Sequence, residues 1–165
     1  MWQIKPISPD SIPEALDKAI RYRLLNDPRL AESICQDILD IDPENQDALV
    51  TLLLSKTDQF GVSASADVAD ARQLLPRLHS TYDQYYYGGI ICERQAKAVL
   101  TKDLTGSPFM AYEWLIDAME LFEKAEALRP PNKDDAILHW NTCVRMIMSN
   151  HLHPRQEEFV EPPLE

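Results

Sequence analysis

Apolar residues recur at three- and four-residue steps through most of this chain, the spacing of helices that bury one face. In 12–25 the stripe is Ile12, Leu16, Ala19, Ile20 and Leu24, and in 29–41 it is Leu30, Ile34, Ile38 and Ile41. In 108–129 it is Tyr112, Leu115, Met119, Phe122 and Leu128, and in 134–149 it is Ile137, Trp140, Val144 and Ile147. The run from Ala48 to Leu54 has no clear period, but its leucines favour a helix buried on two sides. No segment alternates for long with period two, and no Asn-Gly or Asp-Gly hairpin signal occurs. The pattern predicts an all-α fold.

Polar residues mark where these helices begin. Ser11 and Glu14 have the spacing of a capping box, with Pro13 in the first turn. Asp27-Pro28, Asp42-Pro43 and Ser107-Pro108 each place a capping residue before a proline suited to a first helical turn. Asn132 precedes an acidic start at Asp134 and Asp135, which suits the positive end of a helix dipole. The stretch 57–66 reads as a loop, and Pro76 kinks or ends a fourth helix. A single helical domain is expected over 1–150. The acidic, proline-rich segment 151–165 is expected to be a flexible tail or to lie on the surface.

Two stretches match each other. Ala31-x3-Cys35-x2-Ile38-x4-Pro43 and Ala118-x3-Phe122-x2-Ala125-x4-Pro130 share one spacing. That spacing resembles the second-helix signature of tetratricopeptide repeats. Upstream, Ala15, Ala19 and Tyr22, then Leu49, Leu52 and Leu53, fall where that family places first-helix packing residues. Tyr85-x2-Gly88-Gly89-x2-Cys92 looks like a third first helix, with Gly89 at the close-packing position. Ala71, Leu75 and Leu78 are the best match for the second repeat's second helix. The interval from Pro43 to Pro130 exceeds two repeats of about 34 residues, which implies a longer loop and a long third hairpin.

The resemblance covers roughly residues 12–148. It implies an antiparallel helix-hairpin stack, a right-handed α-solenoid of about three hairpins. A last helix would cap it, with Asn141, Arg145 and Ser149 outward. In the resembled family, peptides lie on the concave surface lined by first helices. By position that surface presents Leu16, Ile20, Arg23, Asp47, Val50, Leu54, Asp83, Tyr86, Ile90 and Glu93. Its middle is apolar and its edges are mostly acidic. Some family members grip a chaperone's terminal carboxylate with a basic clamp, whereas the corresponding slots here are Leu16, Ile20, Thr51, Asp83 and Tyr87. The implied partner is therefore another protein or peptide, apolar with neutral or basic flanks.

Charge and composition narrow the function further. The 165 residues carry 16 Lys+Arg against 27 Asp+Glu, a net charge of -11. Sequence-independent binding to nucleic acid or an anionic membrane needs clustered positive charge, so neither is expected. Only 4 glycines against 12 prolines disfavour phosphate loops and tight hairpins. Cys35, Cys92 and Cys143 are odd in number and widely spaced, which suits buried small hydrophobes better than disulfides or zinc. The N-terminus lacks the apolar stretch of a signal peptide, and no run approaches the roughly 20 residues of a membrane span. A cytoplasmic protein is expected.

Candidate chemistry is sparse. His79, His139, His151 and His153 have no third metal ligand at fixed spacing. The acids from Asp40 to Asp47 alternate as in a calcium loop, but Asn45 and Thr51 stand where that loop needs Gly and Glu. No nucleotide-binding, zinc-protease or serine-hydrolase motif occurs, so no cofactor, metal or catalytic residue is assigned. Tyr82, Tyr85, Tyr86 and Tyr87 cover more than one helix face. Tyr82, Tyr86 and Tyr87 are then either an exposed aromatic binding patch or a brace for the third hairpin.

Three functions are compatible with these residues. The first is a non-catalytic interaction module. The second is a small acidic chaperone like those of type III secretion, which use three such repeats. The third is an enzyme with Glu93, Glu113, Asp117 and His139 near the third hairpin. Phe159, Val160 and Leu164 stand among glutamates in the tail. They suggest that the tail folds into its own groove or that of a second copy, which would make a homodimer.

Overall fold

The computed structural model describes residues 1–63 and 67–156. Among them the protein is all-α, with no strand. A 3-10 turn, Pro9–Ser11, leads into α1, Ile12–Leu24. Then come α2, Pro28–Ile41, and α3, Gln46–Thr57. A short α4, Val68–Arg72, precedes a 3-10 turn at Leu75–Arg77. The long α5, Thr81–Lys102, and α6, Ser107–Ala127, form the largest hairpin, and α7, Asp135–Ser149, follows. No helix among the described residues is long and apolar enough to cross a membrane.

Consecutive helices pack on each other: α1 on α2, α2 on α3, α5 on α6 and α6 on α7. Alternate helices also touch, α1 to α3, α3 to α5 and α5 to α7, so these four form one row with α2 and α6 behind it. Two cores result. One centres on Cys35, Ile38, Leu49 and Leu53, the other on Leu115, Phe122, Ala96 and Cys143. Leu54 and Tyr87 pack against both and join them.

The matching stretches supply the tightest contacts. Ala31, Cys35, Ile38, Ala118, Phe122 and Ala125 are all fully buried, and Pro43 and Pro130 stand just beyond α2 and α6. Small residues at these positions let the facing helix approach closely. Gly89 carries this furthest: a Cβ there would lie 2.5 Å from Cε1 of Phe122.

Several local expectations change. Asp27 does cap α2, accepting from the Leu30 amide at 3.2 Å. Ser11, however, does not cap α1; its hydroxyl donates to the Ser8 carbonyl at 2.7 Å. Asn45, not Asp42, caps α3, accepting from the Ala48 amide at 3.0 Å, because 42–45 form a separate turn. The Ser107 hydroxyl accepts from the Leu104 amide instead of capping the helix it begins. The fourth helix ends at Arg72, well before Pro76, which sits in the 3-10 turn. There Ala71, Leu74 and Leu78 are buried, while Leu75 is half-buried.

The buried face of α7 is also turned from its expected stripe. Ala136 and Cys143 are fully buried, whereas Ile137, Trp140, Val144 and Ile147 are half-buried. Arg145 and Ser149 are exposed as expected, Asn141 is half-buried, and Leu138 and Met148 share the outer face. The domain extends past residue 150. Leu152 is buried in the second core and the His153 ring meets Phe109 edge-on at 5.4 Å. Phe159, Val160 and Leu164 lie outside the described residues.

Candidate functional site

The row of alternate helices brings part of the expected groove together. Leu16, Ile20 and Arg23 on α1 face Asp47, Val50, Thr51 and Leu54 on α3 across a cleft of about 450 Å³. These positions lie at i, i+4 and i+7 on each helix, so one face of each supplies the lining. Ile20 is 42% exposed, and the other apolar linings are half-buried. Asp47 and Asp83 stand in the first turns of α3 and α5.

The α5 half of the expected groove is different. Ile90 and Glu93 are buried, so neither is available on a groove surface. They face the second core because α7 packs over that side of α5 and takes the place of solvent. Tyr86 and Tyr87 are half-buried and pack against the second core. Tyr82 is buried, and the Tyr86 ring lies 5.8 Å from Tyr82, 5.0 Å from Tyr87, 6.0 Å from Phe122 and 5.7 Å from His139. Burial raises the Tyr86 hydroxyl above its ordinary pKa and pushes Tyr87 up to about 12. Tyr85 is half-buried beneath the Lys124 ammonium, 5.8 Å from its ring.

Glu93 is a buried carboxylate on α5. Its side chain is 1% exposed and pairs with His139 Nδ1 at 3.0 Å and Lys97 Nζ at 3.6 Å. The Cys143 thiol approaches its Oε1 at 3.9 Å. Phe122 stacks on the His139 ring at 5.4 Å. Burial alone would raise the Glu93 carboxyl, but the His139 hydrogen bond and the Lys97 charge outweigh it and hold it below its ordinary value. Glu113 and Asp117 do not join this pair; both are exposed on α6. Among the described residues no group of three His, Cys, Asp or Glu is placed to hold a metal.

The three cysteines are buried and unpaired. Burial pushes the Cys35 and Cys143 thiols up to about 12 and raises Cys92 as well, where Arg72 opposes it. The thiolate is the reactive form. Folded protein at pH 8 should therefore react with a thiol reagent at least about tenfold more slowly than protein in denaturant. Equal rates would mean that these thiols are open to solvent.

A second cleft, of about 560 Å³, continues from Arg23 beyond the apolar one. Leu24 of α1, Asp58 and Phe60–Val62 after α3, and Arg94, Lys97, Thr101 and Lys102 of α5 line it. Asp58 pairs with Arg23, whose Nε lies 2.6 Å away, and accepts from Arg23 Nη2 at 3.3 Å and from Arg94 Nη1 at 2.9 Å, which ties α1, α3 and α5 together at this end. The sequence reading placed Arg23 in the groove but not Arg94, Lys97 or Lys102. Only Lys102 carries a local signal, a basic residue in the last turn of α5, where it complements the helix dipole; Arg94 and Lys97 lie further inside that helix.

Compared with family models, with curated proteins and with solved structures, the chain gives no match.

Proposed function

We propose that this protein is a non-catalytic interaction module that holds a segment of another polypeptide along the row α1, α3, α5. The observation that carries this reading is the apolar cleft of Leu16, Ile20, Val50 and Leu54 between α1 and α3, in which Ile20 is 42% exposed and the other three are half-buried. Apolar side chains at helical spacing suit a docked helix or extended segment with aliphatic or aromatic anchors. The first-turn acids Asp47 and Asp83 favour a neutral or basic flank at their end. The tetratricopeptide resemblance points to the same face.

Ile20→Glu tests this reading, because Ile20 is exposed enough to accept a charge without unfolding α1. The variant should keep the wild-type helical circular dichroism and lose at least about 90% of the polypeptide captured from native lysate, a penalty of one buried charge. Arg145→Glu, on the outer face of α7, should capture as wild type. Equal capture by wild type and Ile20→Glu would remove the reading.

A further inference from the structure

The second cleft runs against the charge of the whole molecule. In a chain of net charge -11, four cations line it: Arg23, Arg94, Lys97 and Lys102. Among the described residues Asp58 is the only carboxylate in its lining, and it answers two guanidinium groups at once. Among the described residues neither Arg23 Nε nor Arg94 Nε has an acceptor, so Asp58 saturates neither guanidinium. Lys97 is offset by Glu93 beneath it. Lys102 is exposed. Among the described residues two carboxylates, Asp58 and Glu93, thus answer these four cations.

The cleft lies at the C-terminal ends of α1, α3 and α5, whose dipoles oppose an anion. At α1 and α3 that opposition is reduced, because several of the last carbonyls are already occupied. At the end of α1, Arg21, Tyr22 and Arg23 accept from the Leu25, Asp27 and Asn26 amides. At the end of α3, Leu54, Lys56 and Thr57 accept from Asp58, Gln59 and Phe60. The rim is apolar as well as basic: Leu24 is 77% exposed and Val62 is 87% exposed.

We infer that this cleft takes an acidic stretch of the polypeptide whose apolar anchors sit in the neighbouring cleft. The inference rests on the proposed function and adds the chemistry and direction of the partner. Asp47 and Asp83 lie at one end of the row and the cations at the other, so the groove is polar along its length. A segment binds with its neutral or basic flank beside α3 and α5 first turns and its Asp/Glu flank beside Lys102. The exposed leucine and valine on the rim select a polypeptide over nucleic acid, which the overall negative charge repels.

A random-peptide display library panned on the full-length protein tests this, alongside Lys97→Gln/Lys102→Glu and Ile20→Glu. Wild type should enrich peptides with apolar anchors followed by Asp or Glu. The Lys97→Gln/Lys102→Glu variant should keep the apolar anchors and lose the acidic preference. Its affinity for a wild-type-selected acidic peptide should fall about tenfold at about 50 mM salt, with the gap closing near about 500 mM. Apolar anchors with no acidic preference in wild type would overturn the inference and leave the interaction reading standing. So would an unchanged acidic preference in the double variant. Competition by a single-stranded oligodeoxythymidylate as strong as by the acidic peptide would also overturn it. No enrichment by wild type, or equal enrichment by Ile20→Glu, would remove both.

Discussion

Gly89→Ala should lower the unfolding free energy by about 2 kcal/mol, although alanine is the better helix former by about 1 kcal/mol. The added methyl would stand 2.5 Å, 2.7 Å and 2.9 Å from three atoms of the Phe122 ring. That ring is fully buried and lies against Tyr86 and His139, so it cannot turn aside without moving α7. The neighbouring glycine provides the contrast. At Gly88 the nearest atom to an added Cβ is Leu121 Cδ1 at 3.4 Å, the end of a flexible side chain. Gly88→Ala should therefore be neutral or stabilising by up to about 1 kcal/mol. Urea midpoints of the two variants measure the difference. In a double-mutant cycle, Phe122→Leu should recover part of the Gly89→Ala loss. Two equally stable alanine variants would show that α5 and α6 do not approach this closely.

The second large effect is expected at the buried pair. His139→Ala leaves the Glu93 carboxylate with only the charges of Lys97 and the more distant Arg94 among the described residues, and Lys97 is half in solvent. Removing the hydrogen-bond partner of a buried carboxylate costs about 3 kcal/mol. The pH dependence gives the more specific test. In the folded protein Glu93 is held below its ordinary value of 4.5. Its contribution is therefore full above the ordinary glutamate range and is lost as pH falls through the lower folded value. Without His139, burial becomes dominant and raises the carboxyl. The position then contributes below the ordinary value and loses that contribution as pH rises through the raised one. The stability gap between wild type and His139→Ala should widen from pH 4 to pH 7. A gap that stays constant over this range would show that the pair does not set the state of Glu93.

Both effects sit where α5, α6 and α7 meet, and only one was legible beforehand. Gly89 stands in a repeat pattern whose spacing already asks for a small residue facing a large one. Nothing local to Glu93 separates it from Asp83, ten positions earlier on the same helix. Glu93 is buried because His139, 46 residues later, arrives opposite it. The same holds for Ile90, which was placed in the groove and lies in the core. On α7, Ala136 and Cys143 displaced the larger Ile137 and Val144 from the interior because the space against α5 and α6 admits small side chains.

What the sequence alone determined is the set of helices, most of their limits, and the buried residues Ala31, Cys35, Ile38, Ala118, Phe122 and Ala125. These depend on periodicity and capping, which act over three or four residues and are written directly in the chain. It also located the α1 and α3 half of the groove, Leu16, Ile20, Val50 and Leu54. Only the tertiary structure decided which face of α5 and α7 was covered, how far the tyrosines were buried, and where charge of one sign accumulated. Arg23, Asp58, and Arg94 with Lys102 come from α1, the end of α3 and α5, and helix packing gathers them at one end of the row. A net charge sums over the chain without regard to position, so it could not show a basic cleft in an acidic protein.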